Sequence, residues 1–325
     1  MYYFQKEKTF LKQFDENTKI GYDRVGRIKV LYWFIIYLIS TAVQIIPIII
    51  VMIAIGLVLR TLYVGPGVGF NLYGIWVEWF ELAVTTGITI LSFFLYIRFV
   101  ERRPFYTIGL KSSPAVKKYL KGAGIAMAMQ LTYFIIVMIF GWAELVDRPI
   151  HATAGFGASA LGWVLLFLVG FIIQGASEEV VVRGWMLPVL ARHYRVGTAI
   201  VLSSVYFGFL HIFNPNVGTL PIINLILYGV FTSLYALYDD GLWGIFGNHS
   251  IWNWFMGNVL GMPVSGAIFG KVSIIETKLT GPAWITGGAF GPEGGVIETL
   301  ILLVSIGILI RLLMKKEIIV KEMKY

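Results

Sequence analysis

The 325-residue chain is 58% hydrophobic and only 14% charged, and its mean hydropathy of +0.78 lies beyond that of ordinary soluble domains. It holds no cysteine, which excludes disulfides, thiolate metal sites and cysteine nucleophiles. The net charge of +8 reads as an asymmetry between loops, not as a nucleic-acid footprint.

The first 29 residues are charged and polar, and the apolar stretch after them is too long for a signal-peptide core, so no cleavable signal is expected. A helical membrane span needs about 20 mostly apolar residues. Eight segments fit: Val30–Leu59, Glu81–Ile97, Gly122–Trp142, Leu161–Val182, Thr198–Phe213, Leu220–Leu237, Leu242–Leu260 and Val296–Leu313. The first is long enough to tilt or bend near Pro47. The expected fold is therefore all-α, a polytopic integral membrane protein of about eight helices with an intramembrane site.

Lysine and arginine report the topology. Of 26, 22 fall on the side of the amino-terminal segment and four (Arg60, Arg148, Lys271 and Lys278) on the other. The positive-inside rule places both termini in the cytoplasm and supports an even number of spans. Four regions follow: a cytoplasmic segment at 1–29, amino-terminal helices at 30–160, a core at 161–260, and an outer loop, last helix and tail at 261–325. Arg98–Lys121 reads as a basic topology determinant able to meet anionic head groups. Trp76, Trp79, Tyr96 and Trp142 read as interface anchors.

Among the 18 acids, Glu178 and Glu179 stand out, because they interrupt the apolar run that starts at Leu161. A carboxylate in hydrocarbon costs roughly 2.5–3.5 kcal/mol on insertion scales, so such residues mark function by default. Glu179 and Arg183 are four residues apart and share a helix face, while Glu178 points about 100° away and is left free. His211 and His249 fall in apolar runs read as helical, and Asn253 lies one turn beyond His249. His151 and His193 read as ordinary loop histidines. If the fourth helix continues to Arg192, Glu178 and His211 both lie about 21 Å from the cytoplasmic turn 193–197, with His249 and Asn253 about 12–18 Å deep. The four are expected to meet in a cavity entered from the cytoplasm or the inner leaflet.

Amide hydrolysis needs an activated water, a stabilised oxyanion and a protonated amine. In one scheme Glu178 and His211 activate water while Asn253 and His249 donate to the oxyanion. In the other, Glu178, His211 and His249 hold Zn2+ or another divalent metal with one open position. The residue types leave both schemes open.

At these residues the chain resembles the CAAX prenyl protease and bacteriocin-processing family of membrane proteins, which includes the Ras-converting CAAX endopeptidases. The resemblance rests on Glu178-Glu179-Val-Val-Val-Arg183, Phe207-Gly-Phe-Leu-His211 and His249-Ser-Ile-Trp-Asn253, in order and on separate spans. Arg183-Gly184, Gly241-Leu-Trp-Gly244 and Arg103 to Leu110 also resemble bacterial members. The resemblance implies a multi-helix intramembrane peptidase of a prokaryotic cell membrane, glutamate-type or metal-dependent, with residues 161–260 as its catalytic core. Its implied partners are a peptide or protein substrate, lipid-modified or not, and membrane lipids, with no nucleic acid.

Two rivals come from other classes. A proton-coupled transporter also uses buried acids and histidines, but inverted repeats, its usual mark, are not visible. A regulatory scaffold would tolerate loss of Glu178. Neither a His-Glu-x-x-His nor a Gly-x-Gly-Asp motif is present.

Overall fold

The computed structural model describes residues 2–17, 29–62, 70–111, 114–147, 152 and 154–321. The readings of Arg148 and His151 as outer-loop residues lie outside them. The protein is a polytopic all-α membrane protein. Six helices are long and apolar enough to cross a bilayer.

A short helix α1 (Leu11–Asn17) precedes α2 (Lys29–Leu62), which runs without a break through Pro47. Helix α3 spans residues 70–100 and α4 spans Ala115–Ile139. Helix α5 covers residues 161–193 and α6 covers Val196–Phe209. Helix α7 is Thr219–Asp239, α8 covers residues 243–259, and α9 is Val296–Lys315. All eight expected spans thus coincide with helices.

Helix α5 passes Gly184 and Pro188 without ending. Proline offers no N–H to the carbonyl four residues back, and the helix widens into π turns over Val180–Met186 just before it. One of the expected spans is short. Helix α6 has 14 residues, about 21 Å of rise, against a hydrocarbon core of about 30 Å. It stops at Phe209, so His211 lies in the turn beyond the helix and not within it, as periodicity had suggested.

Helix α8 is gripped from two sides at glycines. A Cβ on Gly247 would lie 2.0 Å from the Tyr119 carbonyl oxygen, so α4 and α8 touch backbone to backbone. A Cβ on Gly175 would lie 2.8 Å from the Ser250 nitrogen, which brings α5 equally close on the other side. In membranes, where burial from lipid drives little, such small-residue contacts set helix packing.

Both ends of the bundle are elaborated. At the end holding the amino-terminal segment, β1 (Tyr2–Phe4) pairs antiparallel with β6 (Ile319–Lys321), joining the two ends of the described chain. Phe10, Leu11 and Phe14 are buried beneath it. Within the loop read as a basic topology determinant, Arg103 is instead fully buried: its Nε donates to Glu101 Oε2 at 2.6 Å, and its guanidinium lies 4.7 Å over the Phe14 ring. Trp185 of α5 donates to the same Glu101 at 2.7 Å. At the opposite end, β2 (Ala143–Leu145) pairs with β5 (Thr277–Leu279), and β3 (Gly155–Phe156) with β4 (Val272–Ser273). These pairs tie the glycine-rich loop 261–295 to the segment between α4 and α5.

Candidate active site

Glu178 and Glu179 lie where α5 is gripped against α8, and the two carboxylates take different environments. Glu179 is fully buried. Its Oε1 accepts from Arg183 Nη1 at 3.0 Å, one turn along the same helix, as the spacing predicted. The same oxygen lies 2.7 Å from His249 Nδ1. A carboxylate held by arginine is an acceptor, so that nitrogen carries the proton. His249 is thereby turned so that its Nε2 lies 3.6 Å from Glu178 Oε2.

Glu178 is the open member of the pair, with 24% of its side chain exposed. Its Oε1 accepts from Gln174 Nε2 at 2.5 Å, and its Oε2 has no hydrogen-bond partner. Gln174 in turn accepts from Asn253 Nδ2 at 2.9 Å. Asn253 therefore reaches Glu178 through Gln174, a residue the sequence reading passed over. Its signal was visible: an amide one turn before Glu178, in an otherwise apolar run.

Phe207 joins the remaining parts. The Arg183 guanidinium lies 4.7 Å from the centroid of its ring, His211 at 4.9 Å and His249 at 6.0 Å between centroids. His211 Nδ1 is 2.9 Å from the Phe207 carbonyl oxygen. A carbonyl only accepts, so Nδ1 holds the proton and Nε2 keeps its lone pair. Tyr228 packs against His249 with ring centroids 5.4 Å apart.

Glu178, His211, His249 and Asn253 line one cavity of about 400 Å3 within the helix bundle. Glu179 and Arg183 stand behind it, buried. The structure so brings together all six residues singled out from the sequence, with Glu178, His211, His249 and Asn253 at the lining and Glu179 with Arg183 as a buried pair behind them. His193, by contrast, ends α5 with its ring edge-on to Tyr32 at 4.4 Å.

A metal set of Glu178, His211 and His249 does not fit this arrangement. Among the described residues, no group of three or more His, Asp or Glu side chains converges closely enough to hold an ion. The Nδ1 edge of His249 is committed to Glu179 and that of His211 to a backbone carbonyl, which leaves Nε2 as the free edge of each ring.

The cavity's loop lining comes from 210–215, 264–269 and Glu293, in the loops after α6, after α8 and before α9. Glu293 ties that roof together, accepting from Trp252 Nε1 at 3.0 Å and from the Ser265 backbone and hydroxyl at 2.6 and 2.7 Å.

Comparison with curated proteins and with solved structures returned no match. Residues 160–255, the stretch that carries all six site residues, match the family model described as type II CAAX prenyl endopeptidase Rce1-like, which agrees with the resemblance carried by the three motifs.

Proposed function

We propose that this chain is an intramembrane endopeptidase that hydrolyses a peptide bond of a membrane-associated peptide or protein by a glutamate-type mechanism. The observation that carries the proposal is the sharing of one cavity by the partly exposed carboxylate of Glu178 and the imidazoles of His211 and His249.

In this reading, Glu178 Oε2 takes a proton from water as the oxygen attacks the substrate carbonyl, with the His211 Nε2 lone pair sharing the activation. Asn253 retains a second amide hydrogen, and together with a protonated His249 it stabilises the oxyanion. His249 or Glu178 then returns a proton to the departing amine. Glu179 and Arg183 touch no substrate. They hold His249 in one tautomer and orientation, as a carboxylate behind a catalytic imidazole does elsewhere.

The substrate is a peptide or protein, lipid-modified or not, that reaches the site through the bilayer or its surface. The 22-to-4 division of lysine and arginine supports cytoplasmic termini, and the bacterial character of the motifs supports a prokaryotic cell membrane. The test compares the carboxy-termini of membrane proteins and secreted peptides in strains carrying the wild-type chain or Glu178→Gln. New termini present only with wild type are expected. Identical sets in both strains would contradict the proposal.

A further inference from the structure

A second cavity, of about 520 Å3, opens on the outside of the bundle between α4, α7 and α9, and none of its lining residues lines the active-site cavity. Its floor is apolar. Met129 of α4, Phe231 of α7 and Leu309 of α9 are buried there, while Leu300 and Val304 form an exposed lip. Along α4 the groove runs from Lys121 to Thr132, and along α9 from Leu312 to Leu300. At 1.5 Å of rise per residue these are runs of about 16 and 18 Å, close to half of a hydrocarbon core of about 30 Å. The groove is one leaflet deep.

Its basic end is built differently. Each of the three helices brings one polar group there: Lys121 from α4, Tyr238 from α7 and Lys316 from the end of α9. Both ammoniums lie against the Tyr238 ring, Lys316 at 3.9 Å and Lys121 at 5.2 Å from its centroid. Lys316 Nζ also donates to the Tyr238 carbonyl oxygen at 2.9 Å, which holds cation and ring together. Both lysines are exposed. Lys118, one turn before Lys121, donates to the Asp239 carbonyl. The acids at this end of α7 are Asp239, which is buried, and Asp240, so the three lysines outnumber them. A groove of this kind complements an anionic phospholipid twice over, with charge for the phosphate and length for an acyl chain. Lysines at the membrane surface attract anionic lipid, and tyrosine sits at the level of the head groups.

We propose that this groove holds one anionic phospholipid of the leaflet at the basic end, its phosphate taken by Lys121 and Lys316 and an acyl chain lying along α4, α7 and α9. The site is independent of the peptidase reading, and so is its test. The full chain is purified in an uncharged detergent and titrated with phosphatidylglycerol, with phosphatidylcholine of the same acyl chains, and with inorganic phosphate. Bound species are counted by native mass spectrometry. Wild type is expected to hold one phosphatidylglycerol per chain in preference to phosphatidylcholine. Joint replacement by Lys121→Gln and Lys316→Gln is expected to weaken phosphatidylglycerol binding about thirtyfold, from the usual contribution of a lysine at an anionic surface. Ala128→Trp, at an exposed position on the α4 wall, fills the groove and is expected to abolish the preference with both lysines in place. Equal binding of the two lipids, or an unchanged preference in either variant, would mark an ordinary lipid annulus and overturn the proposal. Inorganic phosphate bound as tightly as the lipid would assign the lysines to a free anion instead. A lipid-free dimer that Ala128→Trp splits would assign the groove to a second copy of the chain.

Discussion

His249 donates its Nδ1 proton to Glu179 at 2.7 Å, across 70 residues of sequence, and the same carboxylate oxygen accepts from Arg183 at 3.0 Å. One buried acid therefore ties together the helix that carries Glu178 and the helix that carries Asn253. Its role is to fix His249 so that the other ring nitrogen faces Glu178.

Removing Arg183 leaves Glu179 buried beside His249 alone and strips the Phe207 ring of its cation. Breaking a buried pair from one side typically costs about 3–5 kcal/mol. Arg183→Ala is expected to lower the thermal midpoint of the purified protein and its yield, together with activity. A variant as stable as wild type would show that the buried pair contributes nothing to the fold.

Gly175 sets the distance between the two acids and His249. The Cβ of Gly175→Ala would lie 2.8 Å from the Ser250 nitrogen and 3.1 Å from the His249 carbonyl carbon. Overpacking of this kind costs about 1–3 kcal/mol. Since the displaced atoms are backbone, α8 must move and carry His249 with it. Substantial loss of activity is expected in a protein that still purifies folded. Wild-type activity in Gly175→Ala would show that the spacing of α5 and α8 is not critical.

The Gln174 amide separates positioning from chemistry. It donates to Glu178 Oε1 and accepts from Asn253, so Gln174→Leu frees both partners without removing either. A fall in kcat with a shifted pH–rate profile is expected, with Gln174→Glu giving a different profile from Gln174→Leu. Superimposable profiles for wild type and both variants would remove Gln174 from the site.

The tail pair responds to acid. Lys8 Nζ lies 2.9 Å from Glu317 Oε2 and holds that carboxyl below the ordinary glutamate range by hydrogen bonding and charge. A depressed folded value means the contribution is present above the unfolded value and is lost as pH falls through the folded one. Both side chains are exposed, so the effect is small. Amide exchange of Ile319 and Val320, corrected for intrinsic rates, is expected to lose some protection below the carboxylate range. Lys8→Met should abolish that dependence; its survival in Lys8→Met would assign it to another group.

Much of the site was legible because its parts are local. Glu179 and Arg183 sit one turn apart on one helix, and so do His249 and Asn253, so spacing alone paired them on common faces. Apolar length likewise located the helices of all eight expected spans. It misplaced the end of α6, because the residues after Phe209 are as apolar as those before it and the helix stops where the loop 261–295 packs. Ser265 and Glu293 were missed for a related reason: their contacts join segments distant in sequence, and a glycine-rich loop has no period to read. The β1–β6 pairing and the burial of Arg103 are also long-range, and a basic loop read locally looks solvated.

The most direct measurement is turnover by purified Glu178→Gln beside wild type, read as new carboxy-termini formed in a solubilised membrane-protein fraction. The substitution removes the charge but keeps the shape, so the fold and thermal midpoint should hold. Wild type is expected to generate new termini and Glu178→Gln none above background, with His211→Ala equally silent. Near-wild-type turnover by folded Glu178→Gln would contradict the assignment of Glu178 as the base and leave the cavity without its nucleophile-activating group.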